Sequence, residues 1–192
     1  MGDPTEDMQQ ASKLPEGDVI RILLEQHARI RTLFTDIHEA VGAARASAFA
    51  ELRAMLVVHE TAEQLVLRPA SKKVAGADVV DERLHEEAEA TEVLAELEKM
   101  DVDSPEFHAK LTAFQESVDA HAEAEERDEF PAVLAGCTAE ERQSMGRMLT
   151  ATENLAPTRP HPTTAGSTVA TVLTMPLASI VDRTKDAISK TG

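Results

Sequence analysis

Four stretches of the chain repeat apolar residues at the spacing of an α-helix, and this periodicity is the strongest constraint on its fold. Asp18 and Ser104 are placed to cap the first and fourth helices, and Pro105 suits a first helical position. Short turns separate the four stretches, which span about 18–43, 47–72, 78–100 and 105–130. The chain is therefore predicted to be all-α, an up-down-up-down four-helix bundle with a C-terminal helical extension.

The segments outside the bundle divide the chain into three parts. Residues 1–17 are polar, contain two prolines and are expected to form a flexible leader, followed by the bundle over 18–131. Residues 132–192 are the extension, where Thr138 and Glu141 form a capping box for a fifth helix. A proline-rich linker and a short helix at about 176–189 follow. That last helix is expected to pack on the bundle or on a second copy of the chain, giving a homodimer.

Composition narrows the classes of partner and the cellular compartment. Nineteen Lys and Arg face 35 Asp and Glu, a net charge of −16, which argues against a nucleic-acid or membrane-surface partner. No apolar run approaches the ~18 residues of a spanning helix, and the polar N-terminus does not resemble a signal peptide. Cys137 is the only cysteine, which excludes an internal disulfide and a multi-cysteine metal site. A cytoplasmic protein is expected.

Two of the apolar seams contain a histidine and, one turn later, a glutamate. Residues four apart lie on one helical face, so each pair can bind one ion. A buried carboxylate without a partner costs on the order of several kcal/mol, and no Lys or Arg lies nearby on either seam. Bound cations are therefore expected. The seams are Phe49, Leu52, Leu56, His59, Glu63, Val66 in the second helix and Phe107, Leu111, Phe114, Val118, His121, Glu125 in the fourth.

The first and third helices place further metal-binding residues at the same height. His27 lies on the apolar stripe of the first helix, and His85 precedes Glu89 by one turn on the third. At a rise of ~1.5 Å per residue, the polar positions of all four helices fall ~12–17 Å from one end of the bundle. This level predicts a dinuclear metal site with the ligands His27, His59, Glu63, His85, Glu89, His121 and Glu125. Glu60 points away from Glu63 and would join only by swinging inward.

This arrangement of motifs resembles the hemerythrin-like HHE cation-binding domains over about residues 18–131. The Pro–His–Pro linker and the terminal helix also resemble the tails of stand-alone bacterial members. The resemblance implies a site of two iron ions. It implies that Glu63 and Glu125 bridge the two irons, that His27 and His59 complete one iron, and that His85 and His121 complete the other.

One departure from the family pattern concerns the third helix. The oxygen carriers of the family have a second histidine four residues after the first, where this chain has Glu89. Either Glu89 or water would then occupy the sixth coordination position of one iron. A carboxylate in place of an imidazole stabilises the ferric state, which argues against simple reversible oxygen carriage. It also widens the choice of metal toward manganese, with zinc as a further alternative.

Three functions follow from the sequence. The leading one is a di-iron protein that handles O2, H2O2 or NO, most concretely by peroxide disproportionation or a related oxidative or nitrosative stress defence. Beyond Glu60 and Glu89, no protein acid or base is evident for that reaction. The second is an oxygen or iron sensor or binding protein without catalysis. The third is a metal-free helical interaction module.

Overall fold

A computed structural model describes residues 2–153, in which every regular element is helical. The predicted four-helix bundle is confirmed: its helices span residues 19–39, 42–74, 77–97 and 105–136. The predicted linker and last helix lie outside the described residues. The elements are α1 (Pro4–Ala11), α2 (Val19–Glu39), α3 (Gly42–Ala62), a π-helical turn (Glu63–Leu67), α4 (Arg68–Val74), α5 (Ala77–Leu97), α6 (Pro105–Ala124), a second π-helical turn (Glu125–Glu129), α7 (Phe130–Gly136) and α8 (Ala139–Glu153).

The predicted helix caps are present. The Asp18 carboxylate accepts a hydrogen bond from the backbone N–H of Ile20 at 3.1 Å. The Ser104 hydroxyl accepts from the N–H of Phe107 at 3.1 Å. In the capping box, the Thr138 hydroxyl accepts from the N–H of Glu141 at 3.2 Å, and the Glu141 carboxylate accepts from the N–H of Thr138 at 2.7 Å. These bonds satisfy N–H groups that have no partner within their own helices.

Two hydrophobic cores flank a polar layer in the bundle. On α2, His27 lies between residues of the two cores, and on α3 His59 does the same. The first core contains Ile30, Leu33, Phe34, Ile37, Phe49, Leu52, Leu56, Val57, Leu94, Leu97, Phe107, Leu111 and Phe114. The second contains Ala11, Val19, Ile20, Leu23, Leu24, Ala62, Val66, Leu67, Phe130, Val133 and Leu149. The polar layer thus has apolar packing above and below it along the bundle axis.

Both helices that carry a His–Glu pair contain a π-helical turn directly after the histidine-bearing segment. The N–H of Arg68 bonds to the carbonyl of Glu63, and the N–H of Phe130 bonds to that of Glu125. A proline follows each of these donors and has no N–H to continue the α-helical pattern. The wider turn accommodates the proline, so the helix continues past Pro131 as α7. The sequence had predicted an end or a kink at this proline. Wider turns of this kind often occur at functional sites.

The sequence suggested that the N-terminal segment is a flexible leader, and this prediction is wrong for the part that forms a helix. Residues Pro4–Ala11 form α1, which is capped by Asp3 and packs along α2. Asp7 is buried in an ion pair with Arg31, and Ala11 belongs to the second hydrophobic core. Polar composition alone predicted flexibility because it does not show that an acidic residue of α1 has a buried arginine as its partner.

Helix α8 packs against the start of the bundle. Arg142 donates from Nε to the Asp18 carboxylate at 2.8 Å and from Nη1 to the carbonyl of Cys137 at 2.7 Å. Gly146 lies so close to Gly17 that a Cβ added to it would be 2.1 Å from the carbonyl oxygen of Gly17. Within residues 2–153, none of the helices has the length and apolarity needed to cross a membrane.

Gly146→Ala is expected to lower the free energy of unfolding by about 1–3 kcal/mol, because α8 must shift away from the Gly17 carbonyl. Helix propensity alone would give the opposite sign, since alanine is better than glycine in a helix by about 1 kcal/mol. Urea denaturation would measure the difference. Ser144→Ala, at an exposed position of the same helix, is the control and should be nearly neutral. A stabilised Gly146→Ala would contradict this packing.

Candidate metal centre

The polar layer contains two groups of metal-binding side chains that share two glutamates. In each group, one potential ligand atom per residue lies within 4.8 Å of the others. Glu63 and Glu125 belong to both groups, so the two groups form one continuous cluster. The first group is His27, His59, Glu63 and Glu125, and the second is Glu63, Glu87, His121 and Glu125. The structure thus brings together five of the seven residues that the sequence predicted, and adds Glu87.

His85 and Glu89 do not join the cluster. They lie at its level, on either side of Glu87 in α5, but the prediction that their face of the helix turns toward the cluster is wrong. Their side chains are 75% and 69% exposed, and they contact each other at 3.4 Å. Helix α5 instead turns Glu87 inward, where its side chain is 1% exposed. The buried positions of α5 around it are Val80, Arg83, Glu87, Thr91 and Leu94, at helical spacing. This second seam, with apolar residues at both ends, was the sequence signal for Glu87.

Three imidazoles of the cluster are oriented in the same way. Each donates its Nδ1–H to a side chain outside the cluster, which fixes the ring and leaves Nε2 as the atom that faces the carboxylates. The acceptors are polar residues that the sequence analysis did not single out. His27 donates to Glu126 at 2.7 Å, His59 to Gln26 at 2.6 Å, and His121 to Glu86 at 2.7 Å.

The three Nε2 atoms converge on the shared glutamates. Glu125 lies between two of them, since its Oε2 is 3.3 Å from Nε2 of His27 and its Oε1 is 3.3 Å from Nε2 of His121. Nε2 of His59 is 3.7 Å from Oε2 of Glu63. Within residues 2–153, Nε2 of His27 and of His121 are buried without a hydrogen-bond partner. Three imidazoles and two carboxylates thus face one another in the way that metal ligands do.

Burial and neighbouring charges shift the pKa values of the residues in the cluster in different directions. Burial opposes a charge on His27, but contacts with Glu125 and Glu126 outweigh it and raise the pKa of His27. The pKa of His59 is well below its usual range because of burial and the neighbouring charge of His27. Burial and the Glu125 charge raise the pKa of Glu63. A metal ion bound here would displace protons from His27 and Glu63, as metal binding requires deprotonated ligands.

A buried arginine contradicts the expectation that no cation of the chain lies near the carboxylates. The Arg68 side chain is 4% exposed. Its guanidinium contacts four glutamates: Glu63 at 3.2 Å, Glu87 at 2.5 Å, Glu125 at 2.5 Å and Glu129 at 2.6 Å. Five residues after Glu63, an α-helix would place it about 140° away from that glutamate. The π-helical turn brings it round to the cluster.

Arg68 does not satisfy the whole cluster. Within the described residues, buried oxygens of Glu63, Glu125 and Glu129 have no hydrogen-bond partner, and neither have the two Nε2 atoms of His27 and His121. Unpartnered buried polar atoms are rare and call for an explanation such as an ion. Imidazole nitrogens with carboxylate oxygens are a donor set that suits iron, manganese or zinc. The residues present therefore fit a metal centre.

A repeat in the sequence underlies both π-helical turns. His59, Glu63 and Pro69 have the same spacing as His121, Glu125 and Pro131. The residue before the proline differs: it is Arg68 in the first copy and Phe130 in the second. The Phe130 ring stacks on the His27 imidazole, with centroids 5.6 Å apart and planes at 19°. The repeated proline was the sequence signal that could have placed both residues at the cluster.

A cavity of about 780 Å³ connects the cluster to the gap between α5 and α6. It reaches His27, His59 and His121, and Glu60 lies on its wall. Burial and the neighbouring Glu87 charge raise the pKa of Glu60 to about 8, so its carboxyl holds a proton at neutral pH. Its lining combines carboxylates of α5, such as Glu89 and Glu92, with apolar residues, which include Ile30, Leu56, Val93, Phe114 and Val118. A small molecule can thus reach the cluster.

The sequence matches the family model described as hemerythrin HHE cation-binding domain over residues 18–133. The structure is similar to a crystal structure from Mycobacterium kansasii, described as a hemerythrin HHE cation-binding domain-containing protein. That similarity has a TM-score of 0.63 and 25% sequence identity, and it covers 84% of this chain and 96% of that one. No curated protein matches the sequence.

Proposed function

The chain belongs to the hemerythrin HHE cation-binding family, and on that premise we propose that it is a non-haem di-iron protein that reacts with oxygen-derived species. The observation that carries the proposal is the shared pair of carboxylates. Because Glu63 and Glu125 belong to both groups of ligands, they can bridge two ions. His27 and His59 would complete one ion, and His121 with Glu87 the other. Imidazole with carboxylate ligation suits iron.

The reaction that fits the site is peroxide disproportionation, in which two H2O2 give two H2O and one O2. Bound iron would supply electron transfer and Lewis acidity at the cluster. The chain supplies a cavity that reaches the cluster and is wide enough for small molecules. Glu60 lies on the cavity wall and would be the proton donor to a departing oxygen.

Oxygen release from H2O2, followed with an oxygen electrode, tests both the reaction and the ligands. The iron-loaded chain should release O2 well above the rate of free iron at equal concentration. His121→Ala should lose iron and activity together, because its Nε2 faces Glu125 at 3.3 Å. His85→Ala is the matched control, and should keep both because its side chain is 75% exposed.

Iron content and absorption spectra distinguish the ways in which this proposal could fail. About two irons per chain with an oxo-bridged diferric band, but no O2 release, would leave a metal centre and refute the reaction. Iron lost from His85→Ala and kept by His121→Ala would refute the ligand assignment. A chain that binds no iron after anaerobic reconstitution would refute the function altogether. Metal analysis with manganese and zinc competitors would then identify another cation.

A sensor that does not turn over peroxide is the second candidate, and a contact at the end of α8 favours it. Gln26 accepts from Nδ1 of His59 and donates to the carboxylate of Glu153. The position of one imidazole is thus linked to the helix that leads into the C-terminal segment. If the chain is a sensor, the rate of proteolysis within residues 154–192 should change on iron loading, and Gln26→Ala should weaken that change.

A further inference from the structure

A cation of the chain itself, the guanidinium of Arg68, already contacts the carboxylates of the second group of metal-binding residues. Nη2 of Arg68 is 2.5 Å from Oε1 of Glu87, 2.5 Å from Oε1 of Glu125 and 3.2 Å from Oε2 of Glu63. These three glutamates are the complete set of carboxylates of that group. A metal ion bound by the same oxygens needs distances near 2 Å to them. Nη2 of Arg68 and such an ion therefore compete for one position.

We propose that Arg68 is an internal counter-cation for the Glu63, Glu87 and Glu125 carboxylates, so that the chain binds its two metal ions in unequal steps. The first ion binds at the His27–His59 side, and the second binds only when it displaces the Arg68 guanidinium. This inference rests on the proposed two-ion function. It concerns the order in which the two ions bind and the difference between their affinities. The bridging carboxylates alone do not predict either, because both ions share them.

The opposite side of the cluster has no comparable cation among the described residues. There the corresponding position of the sequence repeat is Phe130, whose uncharged ring stacks on His27. The nearest buried arginine on that side, Arg31, contacts Glu126 at 3.1 Å and none of the residues in the two groups. Oε1 of Glu63 and Oε2 of Glu125 have no hydrogen-bond partner among the described residues. A first ion that binds these oxygens together with His27 and His59 displaces protons but no charged side chain of the protein.

Glu129 is an ion-pair partner that the Arg68 guanidinium can keep after it is displaced from the other carboxylates. Nη1 of Arg68 is 2.6 Å from Oε2 of Glu129, which is fully buried and belongs to neither group of ligands. Arg68 can thus keep this ion pair while Nη2 leaves the other three carboxylates. A charged side chain that is moved without a remaining partner would face a large desolvation penalty. The Glu129 contact reduces that penalty, so displacement is compatible with the fold.

Anaerobic titration of the metal-free, full-length chain with Fe²⁺, followed by calorimetry and native mass spectrometry, tests this order. The wild type should bind two ions with dissociation constants that differ by at least about tenfold. Arg68→Met combined with Glu129→Gln removes one positive and one negative charge, so the net charge of the buried cluster is unchanged and the ligands are intact. In this variant the second ion should bind at least about tenfold more tightly, and the first within about threefold of wild type.

Two controls isolate the role of Arg68. Glu129→Gln alone keeps the competing guanidinium and should leave the second ion weakly bound. Arg45→Met removes a buried arginine at the other end of the bundle, where it donates to the carbonyl of Ile37 at 3.1 Å, and should bind both ions as the wild type does. Equal dissociation constants in the wild type, or a second step that is the same in the double variant and in Glu129→Gln, would overturn the inference and leave the two-ion function standing. A wild type that binds no Fe²⁺ would instead overturn the function on which it rests.

Discussion

Glu125→Gln is expected to remove both iron ions from the chain. The two oxygens of Glu125 face different imidazoles, His27 and His121, each at 3.3 Å. An amide has no negative charge and points an NH2 group at one of those two Nε2 atoms. Substitution of groups that only orient metal ligands already costs about 10–100-fold in metal affinity, so a ligand shared by both ions should cost more. Metal analysis after reconstitution should give well below one iron per chain.

The same change at two other glutamates separates a shared ligand from an unshared one. Glu87→Gln should lose the second ion and keep the first, because Glu87 belongs to one group only. Glu89→Gln should keep both ions, since the Glu89 side chain is 69% exposed. If Glu125→Gln retained two irons, or if Glu89→Gln lost one, the shared-carboxylate centre described above would be incorrect.

The helical bundle could be predicted because its signals are local. Apolar residues at helical spacing specify which faces are buried, and the caps at Asp18, Ser104 and Thr138 set where helices begin. His59 and His121 could be placed for the same reason, since each replaces an apolar residue on a seam that is otherwise continuous. A single face of a single helix carries all the information that these predictions need.

The face that α5 turns to the cluster could not be predicted as simply. This helix contains many acidic residues and few large apolar ones, so more than one set of positions has an acceptable spacing. His85 with Glu89 fitted a metal-binding pair, yet the buried set runs through Arg83 and Glu87. The choice depends on neighbours from other helices, chiefly Arg68, which contacts Glu87 at 2.5 Å. Periodicity within one helix does not contain that information.

Arg68 itself was missed because regular α-helical geometry places it off the seam. Its approach to Glu63 depends on the π-helical turn, and that turn depends on Pro69. The residues that orient the imidazoles, Glu126, Gln26 and Glu86, were missed for a different reason. Acidic and amide side chains are ordinary on a helix surface, and their role becomes evident only from distances to residues of other helices.

Arg31→Met is expected to lower the free energy of unfolding by about 3–5 kcal/mol, the usual cost of leaving buried charges without their partner. Arg31 is 4% exposed and joins three elements through Asp7 of α1, Asp119 of α6 and Glu126 of the second π-helical turn. Glu126 in turn holds Nδ1 of His27 at 2.7 Å. The substitution should therefore also release α1, which limited proteolysis within residues 1–17 would detect.

Arg29→Met is the matched control on the same helix. Its ion pairs with Asp36 and Glu51 involve side chains that are 44% to 56% exposed, so its loss should cost below about 1 kcal/mol. Equal destabilisation by the two substitutions would show that Arg31 is not the buried link described here. Urea denaturation at constant metal content would measure both.

The destabilisation by Arg31→Met should depend on pH in a defined direction. Burial raises the pKa of Asp7 above its usual value, and the Arg31 guanidinium acts against that rise. Without Arg31, the folded-state pKa of Asp7 rises further, while its unfolded-state pKa is unchanged. Stability is lost as pH increases from the unfolded-state pKa to the folded-state pKa, and this interval is wider in the variant. The difference between wild type and variant should thus be small where Asp7 is protonated in both, and should grow as pH rises. A difference that does not change with pH would mean that lost packing of the arginine side chain, rather than lost charge pairing, causes the destabilisation.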